Sequence, residues 1–139
     1  MKISTRGRYA LRVMIDLAEH NDGEYIPLKD IAKRQEISEK YMEKILPILT
    51  KAGFLDGLKG KGGGYRLKKA PKEYTVASVL KLVEGSFAPV SCLETPVNTC
   101  SRRETCRTLP MWEKLYENLT EFFEGITIED LCQNPEIIS

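Results

Sequence analysis

The chain has 139 residues, enough for one ordinary domain or a small domain with an appended element. Its hydrophobic content of 42% excludes a disordered tail, and no apolar run approaches the roughly 18 residues of a membrane span. The start, MKISTRGRYALRV, lacks the apolar core of a secretory signal, so a cytoplasmic protein with reduced thiols and no membrane partner is expected.

The net charge of +1 is unevenly spread. Residues 1–72 carry 16 Lys/Arg against 9 Asp/Glu, a net +7, and residues 73–139 carry 5 against 11, a net −6. A basic half joined to an acidic half directs the first half toward a polyanion. The chain is expected to divide there, into a basic unit over 1–72 and an acidic unit over 73–139 that holds all four cysteines.

The segment TRGRYALRVMIDLAEH, 5–20, has a broad apolar face through Ala10, Val13 and Leu17 and predicts a helix capped by Thr5. After the turn at Asn21-Asp22-Gly23, PLKDIAKRQ predicts a short second helix. Ser38 is a good N-cap for a third, SEKYMEKILPILTKAG, whose stripe is Tyr41, Met42, Ile45, Leu46 and Leu49 and which ends at Gly53. Pro47 conflicts with that helix, because it removes a backbone bond at a cost of about 3 kcal/mol, and a kink or a tightened last turn is expected there. FLDGLKGKGGGYRLKK then reads as strand, glycine-rich turn and strand, with Lys59, Lys61, Arg66, Lys68 and Lys69 along it. A helix-turn-helix followed at once by a basic hairpin is a winged helix. The glycines between lysines suit a backbone that approaches phosphate closely.

Thr75 caps a further helix, VASVLKLVEG, ended by Gly85. Residues 86–104 carry no periodic pattern and read as a loop. A long helix over roughly 105–124 follows, with Trp112, Leu115, Leu119, Phe122 and then Ile126 at alternating spacings of three and four. Such a seam packs either inside the monomer or against a second copy, and its regularity favours the dimer. TIEDLCQ closes the chain as a short helix capped by Thr127, with Cys132 on it as a small core residue. The fold class expected is mainly α with a small β-hairpin: a winged helix-turn-helix plus a long dimerisation helix.

In this frame the helix from Ser38 enters the major groove. Lys40 and Lys44 reach phosphate or guanine, and Glu43 accepts from cytosine. Tyr41 either joins that surface or belongs to the core stripe. Lys59, Lys61 and the amides of Gly62 and Gly63 meet the DNA backbone or minor groove, and Arg6 and Arg8 meet phosphates. One histidine and no nucleophile–base pattern leave no catalytic constellation, so no enzyme is expected.

Cys92, Cys100 and Cys106 lie close together in SCLETPVNTCSRRETC. A disulfide is disfavoured by compartment, and inert buried thiols by the polar surroundings. Structural zinc is disfavoured by the missing histidine and close cysteine pair. An iron–sulfur cluster is compatible with loop thiolates plus one other group. Arg102, Arg103 and Arg107 would lower the thiol pKa values and offset cluster charge.

Taken together, MKISTRGRYAL, LKDIA…ISEKYMEKIL, KGKGGGYRL and LYENLTEFFEGITIEDL resemble the Rrf-type family of winged-helix regulators, across essentially the whole chain. The family includes the iron–sulfur regulator IscR, the nitric-oxide sensor NsrR and the cysteine-metabolism repressor CymR. The resemblance implies a homodimer on a palindromic double-stranded DNA site. Cys92, Cys100 and Cys106 match the positions that hold a cluster in IscR and NsrR, which implies an iron–sulfur cofactor, two-iron rather than four-iron. IscR's histidine position is Leu109 here, and NsrR's acidic position is Arg8, so neither fourth ligand carries over. The alternative is a CymR-like repressor governed by a partner protein or by thiol redox without a cluster.

Overall fold

The computed structural model describes residues 2–133 and 136. The elements run α1 (Thr5–Glu19), α2 (Leu28–Gln35), α3 (Glu39–Lys51), β1 (Leu55–Leu58), β2 (Gly64–Leu67), α4 (Val76–Glu84), α5 (Leu109–Glu124) and α6 (Ile128–Gln133). Short 3₁₀ turns occupy Pro71–Glu73 and Ser91–Leu93. Among the described residues no helix is long and apolar enough to cross a membrane.

α1 is the spine of the molecule. Ala10, Val13, Met14 and Leu17 are buried on it and pack against Ile31, Met42, Ile45, Leu46, Leu49, Val79 and Ile128 in one core. Its cap is Ser4, whose Oγ accepts from the Gly7 amide at 3.2 Å; Thr5, the expected cap, is already helical. α1 also buries Asp16. That carboxylate accepts from Arg34 Nε at 3.0 Å, Arg34 Nη2 at 2.8 Å and Gln35 Nε2 at 2.9 Å, fixing α2 against α1. The bond to Asp16 raises the Arg34 pKa, with burial opposing it.

The turn between α2 and α3 passes through Glu36 in the left-handed region, φ 56°, and buries Ile37 beneath it. Ser38 then caps α3 as the sequence predicts, accepting from the Tyr41 amide at 3.1 Å. α3 continues as α-helix through Pro47 to Lys51, so the proline does not break the helix, and the Gly53 amide closes its end on the Thr50 carbonyl at 3.0 Å.

β1 and β2 form an antiparallel pair in the register Leu55↔Leu67, Gly57↔Tyr65. Ile26 adds a single bridge to Tyr65, exchanging both backbone bonds at 2.8 Å. This close approach explains the glycine run. A Cβ on Gly64 would lie 2.1 Å from the Ile26 carbonyl oxygen, and one on Gly63 would lie 2.2 Å from the Leu58 carbonyl oxygen. Close protein backbone is by itself enough to require those two glycines.

Tyr74 ties the hairpin to the segment leading into α4. Its hydroxyl donates to the Phe54 carbonyl at 2.7 Å and accepts from the Lys69 amide at 2.8 Å. α4 begins under Thr75, which accepts from the Ser78 amide at 3.1 Å. α6 begins under Thr127, which exchanges bonds with Asp130 at 2.9 and 3.0 Å. The two starts are joined, since the Val76 amide donates to Ile126 and the Ile128 amide to Tyr74.

α5 starts at Leu109, four residues later than expected, with Pro110 in its first turn. It has no buried residue. Tyr116, Leu119 and Phe123 pack on a second cluster of Val76, Ala77, Leu80, Phe87 and Ile126. The expected seam is therefore divided. Ile126 lies in this chain's own core and Leu119 leans on it, whereas Met111 and Phe122 are 54% and 52% exposed.

Candidate nucleic-acid interface and cysteine loop

α3 separates its faces cleanly. Met42, Ile45, Leu46 and Leu49 are buried, and Lys40, Glu43, Lys44, Pro47 and Lys51 are exposed. Residues 40, 44, 47 and 51 follow a three-and-four spacing, so they form one stripe of three lysines interrupted by a proline. Tyr41 is half-buried and meets the Tyr9 ring edge-on at 5.2 Å between centroids, which makes it part of the α1–α3 packing. The Ser38 hydroxyl is exposed beyond its capping bond.

The wing presents Lys59, Gly60, Lys61 and Gly62 to solvent; the Gly63 amide donates to the Gly60 carbonyl at 3.0 Å. Arg6 and Arg8 project from the first turn of α1, with Arg8 bonded to Thr5 Oγ1 at 3.1 Å. Three neighbouring cations are already engaged. Arg66 lies 4.2 Å over the Tyr25 ring and donates to the Gly23 carbonyl at 2.7 Å. Arg66 and Lys68 both flank Asp56. Arg12 stacks on Tyr9 and bonds Gln35. Among the described residues no ion pair holds Lys40, Lys44, Lys51, Lys59 or Lys61, so α3 and the wing tip both present unpaired positive charge.

The cysteines occupy the segment between α4 and α5. Cys92 sits half-buried in the Ser91–Leu93 turn, Cys100 is exposed, and Cys106 is half-buried three residues before α5. Asn98 Oδ1 accepts from the Cys100 amide at 2.9 Å, and the Cys100 carbonyl accepts from Arg103 Nη1 at 3.0 Å. The Cys106 thiol lies 3.3 Å from Thr108 Oγ1, and its pKa is lowered. The Thr108 hydroxyl and backbone amide are the leading causes; the Arg102 charge contributes least. The sequence reading assigned this effect to arginines and missed Thr108. Its clue was local: Thr108 precedes α5 yet does not cap it with its side chain.

Among the described residues no three of His, Cys, Asp and Glu converge as a metal-binding group. The expected three-cysteine set is therefore not drawn together in this conformation. Cys132 stands apart, half-buried against the main core with its thiol 3.8 Å from the Ile15 carbonyl oxygen. Burial, then Glu19 and Glu129, raise its pKa.

Residues 3–134 match the family model described as Rrf2, Iron-dependent Transcriptional regulator. The HTH-type transcriptional regulator IscR of Pectobacterium atrosepticum is 34% identical over 139 residues, spanning 100% of this chain and 84% of that protein. The IscR of Erwinia tasmaniensis is 36% identical over 138 residues, 99% of this chain and 82% of that protein. Among solved structures, CymR of B. subtilis, the global cysteine regulator, superposes with a TM-score of 0.77 at 30% identity, covering 95% of this chain and 96% of that one. T. potens IscR gives 0.74 at 30% identity, covering 99% and 90%. The oxidized form of Staphylococcus aureus CymR gives 0.76 at 28% identity, covering 96% and 97%. With a helix-turn-helix, a basic wing and relatives named as transcriptional regulators along its whole length, this chain belongs to the Rrf2 family: it is a DNA-binding winged-helix transcriptional regulator and not an enzyme.

Proposed function

We propose that the protein is a cytoplasmic homodimer that binds a palindromic DNA site and adjusts its affinity through an iron–sulfur cluster held by Cys92, Cys100 and Cys106. The observation that carries the sensing half is the grouping of three cysteines in one solvent-facing loop with Arg102, Arg103 and Arg107, one thiol already acidified by Thr108. The donor chemistry fits: thiolates are the usual protein ligands of such clusters, and nearby cations favour the thiolate form. A bound cluster would supply a charge that changes with oxidant or iron supply. The chain's part is to hold the thiols within reach. Cys92 stands on its short turn, Cys106 at the foot of α5, and Cys100 is exposed in the loop between them.

On the DNA side, Ser38, Lys40, Glu43 and Lys44 face the major groove, Glu43 reading a base while the lysines neutralise phosphates. Lys59, Lys61, Gly62 and Gly63 follow the adjacent minor groove or backbone, and Arg6 and Arg8 take flanking phosphates. Tyr41 serves by bracing α3 on α1. The homodimer rests on the open apolar edge of α5, and two-fold symmetry then gives the palindrome.

The acidified, accessible Cys106 also supports a second reading, a thiol switch without a cluster, or control by a partner protein. Anaerobic purification with visible absorbance and iron and sulfide analysis separates them. A coloured protein with stoichiometric iron and sulfide, lost in Cys92→Ala, Cys100→Ala and Cys106→Ala but kept in Cys132→Ala, supports the cluster. Colourless protein with DNA affinity that responds to peroxide supports the switch. Full iron and sulfide in Cys100→Ala would defeat the three-thiolate site.

A further inference from the structure

A recess lies between the C-terminal half of α3 and the root of the wing, where neither base reading nor the cysteine loop employs it. Pro47, Gly57, Leu58 and Tyr65 line it together with Lys51 and Lys59, around a volume of about 450 Å³. Its middle is apolar. Leu58 is 48% exposed although Leu55, on the same strand, is buried. Pro47 gives up a helix bond to Glu43 yet sits on the exposed stripe, so core packing does not account for it. The floor is shallow and defined: a Cβ on Gly57 would lie 3.4 Å from Tyr65 Cε1 and 3.6 Å from the Thr50 methyl. Lys51 and Lys59 are its charged lining residues, and no acidic side chain lines it.

An apolar recess lined by two lysines matches a group that is itself apolar and flanked by anions. In duplex DNA that description fits deoxyribose between consecutive phosphates. A thymine methyl is apolar but has no anion on either side of it. The strand that separates the groove entered by α3 from the groove followed by the wing has to cross the α3–wing junction, where the recess lies. We propose that the recess seats a deoxyribose of that strand, with Leu58 and Pro47 against the sugar and Lys51 and Lys59 on the phosphates to either side. The proposal rests on the docking described above, α3 in the major groove and the wing beside it.

The test uses the full chain and a duplex selected from a random-sequence pool by the wild-type protein. Hydroxyl-radical footprinting at saturating protein reads sugar exposure directly. Leu58→Ser, at an exposed position, should keep the circular-dichroism spectrum and bind about three- to tenfold more weakly. It should retain the wild-type salt slope and lose protection at one or two deoxyriboses per half-site. Gly57→Ala, which raises the floor, should weaken binding with the same unchanged slope, whereas Lys51→Ala should lower the slope by about one. Unchanged affinity and footprint in Leu58→Ser would overturn the sugar seat. So would a Leu58→Ser defect that disappears when uracil replaces thymine, since that places a methyl group in the recess. A wild-type protein that leaves no footprint on the selected duplex would overturn the docking itself, and is thereby distinguished from failure of the seat alone.

Discussion

Phe122→Asp is the sharpest probe of the proposed dimer. Phe122 is 52% exposed in the monomer and lies on the outer edge of α5, beside Met111 and Leu115. A Phe side chain buries on the order of 200 Å², so about half of that, ~100 Å² per protomer, remains for a partner to cover. At ~25 cal/mol per Å² this is about 2.5 kcal/mol per protomer and about 5 kcal/mol for a symmetric pair. At 1.4 kcal/mol per tenfold, the truncation weakens dimerisation by roughly a thousandfold or more, before the cost of burying two carboxylates. Leu119 is a poorer probe, because it also packs on Val76, Leu80 and Phe87 of its own chain and its loss would loosen the monomer. Sedimentation across a concentration series should show Phe122→Asp as a folded monomer where the wild type is a dimer. A variant that stays dimeric at micromolar concentration would refute α5 as the interface, and so would a wild type that is monomeric throughout.

Three further outcomes are expected. Asp16→Ala removes the acceptor of three bonds; breaking a buried pair costs about 3–5 kcal/mol, here toward the lower end because Arg34 is 34% exposed and can rehydrate. The melting temperature should fall by roughly 10 °C, with Asp16→Leu/Arg34→Met recovering most of it, and a fall under ~3 °C would contradict a stabilising role. Lys61→Ala should weaken all sequences alike and lower the salt slope by about one, whereas Glu43→Ala should alter base preference at one position per half-site; exchanged outcomes would reverse the docking. Alkylation should titrate at lower pH for Cys106 than for Cys132: the lowered pKa keeps Cys106 as thiolate at a pH where burial and the acids around Cys132 hold its proton. Thr108→Val should move the Cys106 profile upward. A Cys132 profile at or below that of Cys106 would contradict the assignment.

The helix-turn-helix and the wing were legible because their signals are local. Ser38 announces a cap, the apolar positions of α3 repeat at three and four, and two short strands bracket a glycine run. Other features depend on neighbours distant in sequence. The apolar repeat of α5 was visible, but which edge meets Phe87 and which stays open depends on where α4 and the following loop lie. Gly63 and Gly64 were legible as glycines and not as glycines demanded by Leu58 and by Ile26, because Ile26 comes from another part of the chain. The Asp16–Arg34–Gln35 network left no pattern at all, since a single acid within a helical stripe reads as a surface residue until α2 folds across it. In the cysteine loop a lowered thiol pKa was expected from the arginines, whereas Thr108, the partner that acidifies Cys106, shows only in the side-chain geometry.

One contact shows how the two halves of opposite charge are joined. Glu84 is the last residue of α4, and Gly85, with φ at 79°, begins the segment that carries the cysteines. The Glu84 carboxylate reaches back to the start of α1, accepting from the Ser4 amide at 3.0 Å and the Ser4 hydroxyl at 2.5 Å. Ser4 in turn accepts from the Gly7 amide and so caps the helix turn that bears Arg6 and Arg8. Gly7 makes room for this arrangement, because a Cβ there would fall 2.2 Å from Glu84 Oε1. A carboxylate near a helix N-terminus is stabilised by the partial positive charge of the helix end, so the contact is favourable as well as close. If the proposed sensing role holds, a rearrangement of the cysteine segment that pulled on Gly85 would act on Glu84 first, then on the cap at Ser4, and through that cap on the two arginines. The route involves a few adjacent residues and needs no change in the core. It joins the start of the cysteine segment directly to the first turn of α1.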